Sequence, residues 1–170
     1  MRKRVVIGFP VLLVALVALV WLWWAVTEGP FRDPQEALRD FYEAKDRAED
    51  QLMDPLILAG KDVVPLVIND LPNKEIRLRR YAIGFLGNGR HTQALPALEA
   101  ILKDDTEIYY FRADALKAIY QVSPMRAKEL APQFVNGQEL LGEVAQDIVA
   151  GETTIYFERS YSDAFWHVHN

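Results

Sequence analysis

The chain carries 3 histidines and no cysteine. His167 and His169 stand at alternate positions, so in an extended segment both imidazoles would leave from one side, as two ligands of one metal must. No cysteine can complete such a set, and Asp163 is the one carboxylate nearby. His167 and His169 are therefore weak candidates, and the expectation is no metal and no cofactor. The absence of cysteine also removes thiolate nucleophiles, Cys-based metal sites and disulfides. Gly84-Phe85-Leu86-Gly87-Asn88-Gly89 follows no strand and leads into no Lys-Ser/Thr, so it reads as a helix end and not a phosphate cradle. No nucleophile elbow and no zincin motif occurs. Catalysis is not expected.

Recognition chemistry is better represented. Arg77, Arg79, Arg80 and Arg90, with Lys74 beside them, form the densest basic patch of an acidic chain. Guanidinium forks match carboxylates in a planar, two-point geometry, so Arg77, Arg80 and Arg90 are candidate contacts for an acidic partner. The plainer reading is one structural arginine among solvated neighbours. Tyr109, Tyr110, Phe111 and Tyr120 gather around one predicted helix, where Tyr109 and Tyr110 are candidates for an exposed contact surface and the rest suit a core. Tyr156, Phe157, Tyr161, Phe165, Trp166 and His167 crowd the end of the chain. Of these, Tyr161, Phe165 and Trp166 are candidate partner contacts, either on the chain's own last helices or in a partner's groove or sheet.

These residues must be held somewhere, and the strongest positional signal is Val5 to Val26. The segment has no charged residue. As a helix its length would be about 33 Å, enough to cross a hydrocarbon core of about 30 Å. Arg2, Lys3 and Arg4 precede it, which predicts a cytoplasmic N-terminus and an outward-facing remainder: the periplasm in a bacterium, the lumen in a eukaryote. Trp21, Trp23 and Trp24 cluster at the outward end and suit the headgroup level. A cleaved signal peptide is the rival reading, but its apolar core is shorter and ends at a small-x-small site, whereas this run ends in tryptophans. The expectation is a single-pass, uncleaved signal-anchor, most simply in a bacterial inner membrane. All 24 acidic residues and 16 of the 19 basic ones follow residue 26, a balance of −8 for the outward part. That sign argues against nucleic acid and anionic lipid as partners.

Beyond the anchor the chain reads as short helices. Asp33-Pro34-Gln35-Glu36 is a helix start, with Asp33 as cap and Pro34 at the first position. Helical spacing from there predicts one helix to about Met53. Asp62 to Leu71, Glu75 to Leu86, His91 to about Lys103, Glu107 to Val122, Ser123-Pro124 to about Val135 and Gln138 to Ala150 follow, separated by Pro, Gly and Asn breaks. Thr153 to Phe157 has strand-like composition. Val64-Pro65-Leu66 repeats as Leu95-Pro96-Ala97, 31 residues on. Arg79-Arg80-Tyr81-Ala82 repeats as Arg112-Ala113-Asp114-Ala115, 33 residues on, which places Leu86 over Ile119.

This pattern, a proline opening a first helix and Arg-x-x-Ala-x-x-x-(Leu/Ile) in a second, resembles the HEAT repeat, in particular the short bacterial variety of phycobilisome-lyase-type proteins, over roughly Ala48 to Leu130. The resemblance implies an α-solenoid in which Pro65 and Pro96 begin first helices. It also implies that Arg79 and Arg112 pair with a neighbouring carboxylate or carbonyl, for which Asp114, Asp104 and Asp105 are available. The expected fold is all-α, with residues 1–26 a basic cap and transmembrane signal-anchor, 27–32 a linker, 33–151 a HEAT-like helical domain and 152–170 a partly extended aromatic tail. The expected function is a membrane-anchored protein–protein interaction module: an adaptor, assembly factor or accessory subunit of a membrane or envelope complex. A small-ligand or metal-binding periplasmic module and a lyase-like accessory protein are the alternatives.

Overall fold

The structure, a computed structural model, describes residues 8–27 and 33–152. The expected strand at Thr153–Phe157 and the tail candidates Tyr161, Phe165, Trp166, His167 and His169 lie outside the described residues. Among the described residues the secondary structure is all helical. α1 (Gly8–Thr27) is a 20-residue helix without a charged residue. Its side chains are described over 14–23, where the large apolar ones are all more than half exposed. Among the described residues no helix is long and apolar enough to cross a membrane; the ten residues 14–23 cover only about 15 Å, half a hydrocarbon core.

Prolines open most of the later helices, because a missing N–H costs nothing at a first turn. α2 (Pro34–Glu43) is capped by Asp33, whose Oδ1 accepts from the amides of Gln35 and Glu36, both at 3.0 Å. α3 (Asp54–Ala59) begins at Pro55, and Gly60, with φ 71°, ends it in a conformation that a side chain would oppose. A 3₁₀ turn leads into α4 (Val64–Asp70). α5 (Arg79–Asn88), α6 (Leu95–Lys103), α7 (Tyr109–Val122), α8 (Pro124–Leu130) and α9 (Glu139–Ala150) complete the order.

The single helix expected from Pro34 to Met53 is corrected: it stops at Glu43, Ala44 turns to ψ 118°, and only a 3₁₀ turn forms at Glu49–Gln51. Ala44 is buried while 45–49 are exposed, so the apolar stripe that sustains a helix fails there. The helix expected from Glu75 starts four residues late, because Leu78 takes a left-handed φ of 61° and breaks the ladder. Likewise α7 starts at Tyr109, and Glu107 lies in the preceding turn.

α4 with α5, α6 with α7 and α8 with α9 are successive helix pairs, and one apolar core runs through all of them. α7 is its centre, packing on α5, α6, α8 and α9. Leu86, Leu98, Leu102, Leu116 and Ile119 are fully buried, each contributing roughly 1.5–3 kcal/mol of burial. At the front α2 covers α3 and α4, with Ala37 and Phe41 fully buried. Gly87 sets the spacing of α5 and α7. A Cβ there would lie 2.8 Å from both Cα and Cβ of Ala118 and would collide with Oε1 of Gln121.

Candidate interaction surface

Two arginines at equivalent places in successive pairs organise the polar side of the stack. Arg79 donates from Nε to the carbonyl of Leu71 at 2.8 Å, and Arg112 donates from Nε to the carbonyl of Leu102 at 2.9 Å. Each thereby satisfies a carbonyl just past, or near the end of, the first helix of its own pair, where intrahelical partners run out. Each guanidinium also lies over an aromatic ring from further along the chain: Arg79 over Phe111 at 5.1 Å, Arg112 over Phe134 at 5.7 Å. The expected pairing of these arginines with a carbonyl and a carboxylate is present in both.

The carboxylates differ. Arg79 Nη1 meets Glu107 Oε2 at 2.5 Å, and both side chains are only 3 % exposed. Lys74 adds a longer contact to the same oxygen at 4.0 Å. Arg112 Nη2 meets Asp105 Oδ1 at 2.9 Å, and that Asp105 side chain is 90 % exposed. Lys74 itself bonds Asp104 at 2.6 Å and Thr106 at 2.8 Å. Lys74, with the hydroxyl and amide of Thr106, holds the Asp104 carboxyl well below the usual carboxylate range.

A groove of about 360 Å³ runs over the second helices α5 and α7. Gly84 and Ala118 keep its floor low, and Met53 closes one side. Arg80 and Asp114 pair across it at 2.8 Å. Burial pushes the Asp114 carboxyl up, and Arg80 opposes that shift. Tyr81 donates its hydroxyl to Glu49 at 2.8 Å; burial first, and then this bond, raises its pKa. Asn88 and Gln121, 33 residues apart and so at the same repeat position, join at 2.7 Å along the groove. Every polar group named here has a partner inside the chain, so the groove is a mixed-charge surface that offers exchangeable hydrogen bonds.

The sequence candidates distribute unevenly over this geometry. Arg80 lines the groove, while Arg77 and Arg90 are exposed and stand outside it. Arg79, the fourth arginine of the patch, is buried structure. The patch therefore does not form one site; in a helix consecutive arginines point to different sides. Tyr110 is 36 % exposed and edge-on to Tyr109 at 5.9 Å. Tyr109 is half-buried, and a bond to Glu139 raises its pKa. Trp21 and Trp23 are exposed on α1, whereas the side chain of Trp24 lies outside the described residues. Among the described residues no group of three His, Cys, Asp or Glu could hold a metal ion.

Sequence reasoning did not find Tyr81, Lys117 and Gln121 as groove residues, nor Glu107 as the partner of Arg79. The 33-residue offset that links Asn88 to Gln121 was the available signal. No protein-family model matches the chain, and no curated protein or solved structure matches it significantly.

Proposed function

We propose that this protein is a membrane-anchored, HEAT-like interaction module that serves as an adaptor, assembly factor or accessory subunit of an envelope complex. The observation that carries the reading is the contrast between its two surfaces. α1 exposes a charge-free run of Val, Leu and Trp that suits lipid, while the helix pairs present a grooved, fully hydrogen-bonded polar face that suits another protein. In this reading residues 5–26 form a single-pass signal-anchor, the N-terminus is cytoplasmic, and the helical domain faces the periplasm. Lys and Arg on the inner flank favour that orientation. The stack of paired helices acts as a short solenoid whose α5–α7 face meets the partner, with Tyr110 and the aromatic tail as flanking contacts. Nucleic acid is not a partner, given the acidic balance of the outward part. No enzymatic step and no cofactor belongs to this reading.

The test is photo-crosslinking in the native membrane from probes placed at Arg80, Lys117 and Tyr110. The reading expects one dominant membrane-protein adduct, lost when Gly84 is replaced by a bulky residue that fills the groove. A chain released from membranes by alkaline carbonate, or probes that yield no adduct, would refute it.

A further inference from the structure

The two repeat arginines, compared position by position, leave one of them short of the group its twin possesses. Arg79 takes its buried carboxylate from the turn of the following pair, 104–108, which supplies Glu107. The corresponding turn after Arg112 is 134–138, Phe-Val-Asn-Gly-Gln, which contains no acid. Gly137 and Gly142 draw that turn tight: a Cβ on Gly142 would sit 2.6 Å from the carbonyl of Gly137, and one on Gly137 would sit 2.8 Å from that of Phe134. Where Glu107 fills the space beside Arg79, a hollow of about 380 Å³ opens beside Arg112, bordered by Tyr109, Gln133, Asn136 and Gln138. The Arg112 side chain is 16 % exposed and faces this hollow. Its present carboxylate, Asp105, reaches in from solvent at 90 % exposure.

We propose that this hollow is a carboxylate-binding site, in which a peptide carboxylate from a partner protein displaces Asp105 and takes on Arg112 the place that Glu107 holds on Arg79. The inference rests on the interaction-module reading above and names the chemistry its partner must present. Three features make the exchange favourable. Arg112 is preorganised by its Nε bond to Leu102 and by Phe134, so little side-chain entropy is lost on binding. Asp105 gives up a solvent-exposed pair, which is worth little. The amides of Gln133, Asn136 and Gln138 border the hollow and supply donors for the second carboxylate oxygen. Glu107 also borders the hollow, but Arg79 and Lys74 already offset its charge. The site therefore gains a net positive charge when Asp105 swings out. That local charge acts at contact range, where the acidic balance of the whole domain, screened over about 8 Å at physiological salt, counts for little.

The test is fluorescence anisotropy with the full chain in detergent micelles at physiological salt. The probes are a labelled Gly-Ser-Glu-Glu-Ser-Gly peptide amide, its Gln-Gln analogue, and a Gly-Ser-Ala-Leu peptide with a free C-terminal carboxylate. Binding is expected for whichever source of carboxylate fits, side chain or chain terminus, and not for the Gln-Gln amide. Asp105→Asn removes the internal competitor at an exposed position and should tighten binding by about threefold to tenfold, whereas Arg112→Gln should weaken it by about tenfold or more. Asp105→Asn is the deciding variant, because Arg112 also supports the end of α6. Equal binding of the Gln-Gln amide, or an Asp105→Asn chain that binds no tighter than the parent, overturns the site. Membrane crosslinks that persist while carboxylate binding is absent refute this site and leave the adaptor reading standing; loss of both refutes both.

Discussion

Arg79 and Arg112 began as the same residue in two copies of one repeat, and they now sit in opposite environments. Arg79 lies inside the stack, with a carboxylate, a carbonyl and an aromatic ring all enclosed between two helix pairs. Arg112 keeps the carbonyl and the ring but stands beside the last pair, where the following turn brings no acid and the carboxylate comes from water's side. A repeat motif thus fixes the local geometry of a residue, while position along the stack decides whether that geometry is structural or available. Buried ion pairs and exposed ones also differ energetically: removing one partner of a buried pair strands a charge, whereas an exposed carboxylate can leave with little effect.

The comparison can be broken most directly at the buried end. Glu107→Ala should destabilise the chain by about 3–5 kcal/mol, because Arg79 would remain charged and enclosed. Thermal melts by far-UV circular dichroism in detergent would measure it, and a loss near zero would mean that Arg79 reaches water. Leu116→Ala, in the shared core behind both arginines, should cost about 2–5 kcal/mol in the same assay. It sharpens the comparison by giving the scale of a purely apolar loss. Gly87→Ala should cost about 1–3 kcal/mol, since the added methyl forces α5 and α7 apart at Ala118. At the open end, Asp105→Asn should change stability by less than about 1 kcal/mol.

The smallest effects are those of pH. Arg126, and after it Lys103, hold the Glu99 carboxyl down to about 2 against the opposing effect of burial. A carboxyl depressed in the folded chain adds stability that is complete above its unfolded value near 4.5 and is lost as pH falls toward 2. Glu99→Gln should flatten that acid limb of a stability–pH profile. His91 behaves in the same direction at higher pH. Burial against Phe85 lowers its pKa below 6.5, so the unfolded chain takes up a proton that the native ring refuses. Stability should therefore decline as pH falls below 6.5, and His91→Phe should remove that part of the slope.

Much of this architecture could be read from residue types. Pro34, Pro65, Pro96 and Pro124 mark first turns because proline lacks the donor that a first turn leaves unpaired, and Asp33 and Ser123 cap as their side chains allow. The 33-residue offset placed Arg79 and Arg112 correctly as a pair, and Asp105 was among the acids offered to them. What the sequence hid has physical reasons. Glu75 to Leu78 has helix-compatible composition, and only tertiary packing turns Leu78 to positive φ. Glu107 looked like the start of a helix, yet it lies in the turn as the acid of the preceding pair's arginine, 28 residues away. Asp114, offered to the repeat arginines, went to Arg80, one residue further along and exposed on the groove. The basic patch failed as a single site for the same reason, since neighbours in sequence diverge around a helix while residues 33 apart converge across the stack.

The account turns on the claim that equivalent arginines are locked at one position and available at the next. Two double-mutant cycles measure it, one on Arg79 with Glu107 and one on Arg112 with Asp105, each read by unfolding of the full chain in detergent. The predicted coupling is about 2–3 kcal/mol for the first pair and below about 0.5 kcal/mol for the second. Equal couplings, or a larger one at Arg112, would contradict the account.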